Sequence, residues 1–369
     1  MAITKSAVLK ALSYVDDPDL GKDLVTLNMV DNIEIDGKKV RFRLILTTPA
    51  CPLKEHIKNA CITAIKHLVD KEAQVEVEIT SQVTSRRKDN HAVLPFVKNI
   101  VAIASGKGGV GKSTVAVNLA VGLAKQGAKV GLIDADIYGP SIPTMMDLEG
   151  TKPKVGNFNG KQKIIPVEKY GIKTLSIGFL TDASQAVVWR GPIASSALKQ
   201  FITDTEWGEL DYLLIDLPPG TGDIHLTLVQ TVPVTAAVVV TTPQDVAKAD
   251  VVRAVTMFQM PNINVPVLGI VENMAYFTPP DALDKRYYIF GKGGGEALAA
   301  KYKVPLLGQI PIVESTREGG DSGLPVVLDT KESNKVVADA FELLSQTAAR
   351  NIAMRNANMA PTKMVEITT

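Results

Sequence analysis

The stretch NIVAIASGKGGVGKSTVAVNLAVGLAKQG, residues 99–127, decides how this chain is built. NIVAIAS reads as a strand and STVAVNLAVGLAKQG as a helix, and between them Gly106, Gly111, Lys112 and Ser113 satisfy the spacing G-x-x-x-x-G-K-[ST]. Strand, loop and helix together define a phosphate-binding loop. Its glycines let backbone N–H groups turn inward around an anion at a helix N-terminus, where the peptide dipoles also favour negative charge. The spacing assigns Lys112 to the β- and γ-phosphates and the Ser113 hydroxyl to Mg²⁺, with Gly106, Lys107, Gly108, Gly109, Val110, Gly111 and Thr114 completing the cradle. Lys107 is one cation more than such a loop needs.

Working outward, residues 98–357 carry short apolar runs separated by helical patterns: KVGLIDAD, DYLLIDLP, TAAVVVTT, VPVLGIVENM and PLLGQIPIV follow the first strand. Nearly continuous Val/Ile/Leu runs alternating with helices predict an α/β fold, a doubly wound and mostly parallel sheet. Two of these runs end in carboxylates. Asp216 closes an apolar strand, where it can hold a Mg²⁺-bound water. Asp134 and Asp136 share one side of a strand end by the period of two, so either can orient an attacking water; Asp136 is the preferred choice.

The remainder of the chain is read against its composition. With 369 residues, 46% of them apolar, it can bury a sizeable core and hold more than one domain. A net charge of +1 without a basic block argues against nucleic acid as a partner. No run reaches the roughly 18 apolar residues of a membrane span, and the start has no apolar leader, so the expectation is a cytoplasmic protein with no membrane partner. Two cysteines, Cys51 and Cys61, are too few for a disulfide framework. Residues 1–82 read as a small α-β-β-α-β unit whose two central strands turn at Asp36-Gly37 and whose second helix has Pro52 in its first turn. Residues 83–97 read as a linker and 358–369 as a flexible tail.

KGGVGKST, DADIYGPS, WRGP, DLPPGTGD and VENM together resemble the deviant Walker A ATPases, in particular the Mrp/ApbC family of iron–sulfur cluster carriers. The N-terminal DDPDLGKDLV and LTTPACP resemble the MIP18-type domain often fused to them. The resemblance implies ATP hydrolysis with Mg²⁺, a homodimer, client apo iron–sulfur proteins and a bound [4Fe–4S] cluster. It also implies that Lys107 reaches across the dimer to the partner's nucleotide, as an arginine finger does, and that Asn273 touches the adenine base. WRGP, Trp189 to Pro192, is expected to start a helix at the dimer surface.

The family's Cys-x-x-Cys pair after the ENM strand is absent: the segment reads MAYFTPPDALDKRYYIFGKGGG, leaving Tyr276–Phe290 as a dimer or partner surface. Cys51 in TTPACP is the remaining candidate cluster ligand, expected at a helix N-terminus whose dipole lowers its pKa. Cys61, ten residues on and roughly 15 Å along the same helix, is expected in the core. His56 is a candidate auxiliary ligand, and Asp16, Asp17 and Asp19 form a turn and cap cluster. A nucleotide-switched positioning or partition ATPase without a cluster is the alternative function. The C-terminal segment lacks the basic amphipathic helix such proteins use.

Overall fold

The computed structural model describes residues 2–87, 93–137, 139–180, 191–279, 282 and 285–365. The chain divides into two compact units, Met1–Ser85 with Ala349–Met359, and Arg86–Ala348 with Ala360–Thr369. The second crossing lies inside the helix Lys335–Asn358, where the residue pattern carries no break.

In the first unit the helix α1 (Lys5–Leu12) is capped by Thr4, whose hydroxyl accepts the Ala7 N–H at 3.2 Å. Strands β1 (Val30–Asp36) and β2 (Lys39–Leu46) pair antiparallel across the Asp36-Gly37 turn, where Gly37 takes φ +58°. Helix α2 (Lys54–Leu68) then crosses over to β3 (Gln74–Ser81), which pairs parallel with β2. Alternation along β2 buries Val40, Phe42, Leu44 and Leu46, and this face packs with Leu12, Ile57, Cys61 and Ile65 into one core. One boundary differs from expectation. Leu53 is the residue before α2, so Pro52 precedes the helix and Cys51 is not on it.

The second unit is built on eight strands: β4 (Val97–Ser105), β5 (Val130–Asp134), β6 (Val167–Lys169), β7 (Ile172–Ser176), β8 (Leu210–Asp216), β9 (Ala236–Thr241), β10 (Val267–Glu272) and β11 (Leu306–Gln309). Their order is β6-β7-β5-β8-β4-β9-β10-β11, and only β6 runs antiparallel. This is the doubly wound, mostly parallel sheet expected from the sequence. The six anticipated strands are present; β6, β7 and a separate hairpin of Lys154–Phe158 with Lys161–Ile165 were not anticipated. Register matters for the site: Asp216 of β8 lies beside Asp134 of β5, so two carboxylates arrive together at the carboxyl ends of adjacent strands.

Val365 is buried, and its N–H donates to the Val229 carbonyl at 3.0 Å, satisfying an acceptor in the last turn of the helix Asp223–Thr231. Among the described residues no helix is long and apolar enough to cross a membrane.

Cys61 is completely enclosed by the N-terminal core, and burial pushes its thiol up to about 12. Cys61→Ser places a hydroxyl there with no aqueous partner, and it should cost about 1–3 kcal/mol of stability in urea denaturation of the full chain.

Candidate functional site

The loop between β4 and the helix α3 (Lys112–Lys125) is shaped by its contacts underneath as much as by its glycines. Gly109 and Gly111 take φ +79° and +76°, in the left-handed region that L side chains avoid. A Cβ on Gly106 would fall 2.1 Å from the Asp250 carbonyl carbon, so the loop backbone rests directly on the helix Asp245–Gln259. A Cβ on Gly111 would fall 2.2 Å from the Asn273 amide nitrogen, which donates instead to the Val110 carbonyl at 2.9 Å. Asn273 thus braces the loop from beneath. Below Val110 the loop walls a cavity of about 200 Å³, lined by Lys107, Gly108, Gly109, Gly111, Lys112, Ser113, Thr114 and Asp136.

Lys112 is buried and its ammonium donates to Asp216 Oδ1 at 2.6 Å, with Asp136 Oδ2 at 3.8 Å and Ser113 Oγ at 3.4 Å. Burial raises the Asp216 pKa, and the adjacent Lys112 charge opposes the rise. Its other oxygen, Oδ2, is buried with no hydrogen-bond partner. An orphaned carboxylate oxygen beside a serine hydroxyl is the donor set a hard divalent cation requires, so Ser113 and Asp216 fit Mg²⁺.

The two carboxylates of DADIYGP separate in role. Asp134 is wholly buried, and burial, then the charge of Asp216, pushes it up to about 7. Its oxygens are spent inside the protein: Oδ2 accepts from the Ser176 hydroxyl at 2.8 Å and the Ile142 N–H at 3.4 Å, and Oδ1 from the Asp136 N–H at 3.2 Å. Asp136 lines the cavity. Lys107 is exposed on the rim, its carbonyl accepting the Ser105 hydroxyl at 3.0 Å, and among the described residues no carboxylate pairs with its ammonium.

Away from the loop the sequence signals fare unevenly. Cys51 is half-buried, and its thiol is raised, not lowered: burial contributes most, and Asp19 and Asp17 add to it. The expected lowering is outweighed: the Leu53 N–H at the start of α2 does pull the thiol down, but burial dominates it. Asp17 closes its turn by accepting the N–H groups of Asp19 and Leu20, and Asp19 pairs with Arg350. His56 is exposed. Among the described residues no group of three or more His, Cys, Asp or Glu side chains could hold a metal ion. Trp189 and Arg190 lie outside the described residues; Gly191 and Pro192 begin the helix Gly191–Thr203. In the segment Tyr276–Phe290, Arg286 stacks 4.2 Å from the Tyr276 ring centre. Two residues were missed by sequence reasoning. Ser176 carries no motif, and His225, buried with both ring nitrogens unpartnered and lowered to about 4 by burial, looks like any residue of an apolar helix.

Residues 96–349 match the family described as NUBPL iron-transfer P-loop NTPase, and residues 5–79 match the family described as iron–sulfur cluster assembly protein. The iron–sulfur cluster carrier protein of Synechocystis is 50% identical over 354 residues, covering 95% of this chain and 99% of that one. The iron–sulfur cluster carrier protein of Deinococcus radiodurans is 47% identical, covering 97% and 98%. Among solved structures, a nucleotide-binding protein of Archaeoglobus fulgidus in complex with ADP is 44% identical, with a TM-score of 0.54 over 62% of this chain and 88% of that one.

The raised carboxyl of Asp134 has a measurable sign. Unfolded, it ionises near its ordinary value of 3.8; folded, it holds its proton to about 7. Its contribution therefore favours the folded state in acid and is lost as pH climbs through that window. Asp134→Asn lacks this dependence. Without nucleotide and with chelator present, the Tm of the variant relative to the parent should rise from about pH 5 to about pH 8.

Proposed function

We propose a function that proceeds from one premise: this chain belongs to the NUBPL iron-transfer P-loop NTPase family, with an iron–sulfur cluster assembly domain ahead of its NTPase region. Its role is that of an iron–sulfur cluster carrier. The finer reading is that it hydrolyses ATP with water as nucleophile, giving ADP and phosphate, and that hydrolysis gates the release of cluster cargo to client apoproteins in the cytoplasm. The observation that carries the chemistry is the buried Lys112–Asp216 pair at the floor of the loop, with Asp136 3.8 Å from the same ammonium.

In that reading the backbone from Gly106 to Ser113 cradles the phosphates, Lys112 leaves Asp216 for them, and Asp136 orients the water. Bound at Ser113 and Asp216, Mg²⁺ would supply charge neutralisation on the phosphates. Lys107 is exposed, and among the described residues no carboxylate pairs with it, as suits a cation delivered to a second copy of the chain. Exposed Ile193, Val246 and Ile289 lie near the same carboxyl edge of the sheet and give a homodimer apolar surface to cover. Cluster ligation falls to Cys51. One chain offers a single accessible thiol, so a cluster bridging two copies draws its other ligands from a client or a small thiol.

Two experiments test this. Lys107→Ala should lower the ATP turnover about 10³- to 10⁵-fold while MgADP binding persists, and parent turnover per subunit should fall on dilution below the dimer dissociation constant. A dilution-independent rate would remove the trans role. Anaerobic reconstitution, read as iron and acid-labile sulfide per subunit, should succeed for the parent and fail for Cys51→Ala; equal retention would remove Cys51 as ligand.

A further inference from the structure

We infer that Ser176 is a positioning residue for hydrolysis, acting through Asp134 on Asp136. The inference deepens the proposed reading in which Asp136 orients the attacking water. The Ser176 hydroxyl bridges two groups: its oxygen accepts the Gly178 N–H at 2.9 Å and it bonds to Asp134 Oδ2 at 2.8 Å. Both side chains are wholly buried.

Asp134 then holds both ends of the segment that follows it. Its Oδ1 takes the Asp136 N–H and its Oδ2 takes the N–H of Ile142, the first residue of the helix Ile142–Met145. One carboxylate therefore ties the carboxyl end of β7 to the backbone that carries Asp136 into the cavity. Ser176 sets which way that carboxylate faces. Remove its hydroxyl and Asp134 keeps only the two longer contacts, 3.2 and 3.4 Å, so the Asp136 backbone loses its fixed height above the phosphate cradle. The cradle itself is built from β4, α3 and the Asn273 brace and does not depend on Ser176. The loss accordingly falls on turnover and spares nucleotide affinity, because misplacement of a catalytic group by about 1 Å costs up to about 10²-fold in rate.

The test is a double-mutant cycle on the full chain: Ser176→Ala, Asp136→Asn and the two combined. Each is assayed by single-turnover hydrolysis of radiolabelled ATP, by MgADP affinity in calorimetry, and by Tm as a check on folding. Ser176→Ala should lower the hydrolysis rate about 10-fold or more with MgADP affinity within about twofold of the parent. In the Asp136→Asn background it should lower the rate less than about twofold further, since residues acting as one unit are not additive. Parent turnover in Ser176→Ala, a fully additive double variant, or a parallel fall in MgADP affinity each overturns the relay. If Asp136→Asn hydrolyses ATP at the parent rate, the role of Asp136 fails and the relay fails with it. If Asp136→Asn is inactive and Ser176→Ala is not, only the relay fails.

Discussion

The Lys112–Asp216 ion pair organises the nucleotide-binding unit. Parallel strands of near-equal reach deliver Asp216 and Asp134 to adjacent positions in an apolar layer, where an isolated carboxylate would carry a desolvation penalty of several kcal/mol. The first residue of α3 answers that cost with one buried ammonium, placed by glycines that permit the loop to turn back over the strand ends. One cation among Asp134, Asp136 and Asp216 leaves the floor anionic in excess. Burial first, and the Asp216 charge second, raise Asp134, and Asp216 keeps one oxygen with no hydrogen-bond partner.

How much of this was legible in the sequence depends on distance along the chain. Lys112 and Ser113 were readable because a local turn fixes both at set offsets, and Asp216 because it closes a continuous apolar run at the carboxyl end of its strand. The period of two placed Asp134 and Asp136 alike; the structure separates them, since Asp134 spends its oxygens on Ser176, Ile142 and Asp136 while Asp136 lines the cavity. The Ser176–Asp134 and Asp19–Arg350 contacts join residues 42 and 331 positions apart, and no pattern of residue types announces them. Strands β6 and β7 escaped because runs of three and five residues with interspersed lysines do not stand out from a loop.

Cys51 shows where local rules mislead. A cysteine before a proline and a helix suggests a thiol activated by the helix dipole, but the helix starts three residues later and the thiol is half-enclosed near Asp17 and Asp19. A protonated resting thiol is chemically quiet.

The sheet's two outermost strands have a consequence for the behaviour of the molecule in a crowded solution. An open eight-stranded sheet exposes backbone donors and acceptors at its margins, an invitation to pair with a stranger's chain. Here one margin is the three-residue, reversed strand Val167–Lys169, carrying Glu168 and Lys169, and the other is the four-residue strand Leu306–Gln309. Both borders are short, and the first is also charged and turned against the grain, so a neighbouring β-segment finds little length to template on and the fold guards against amyloid-like growth without closing into a barrel.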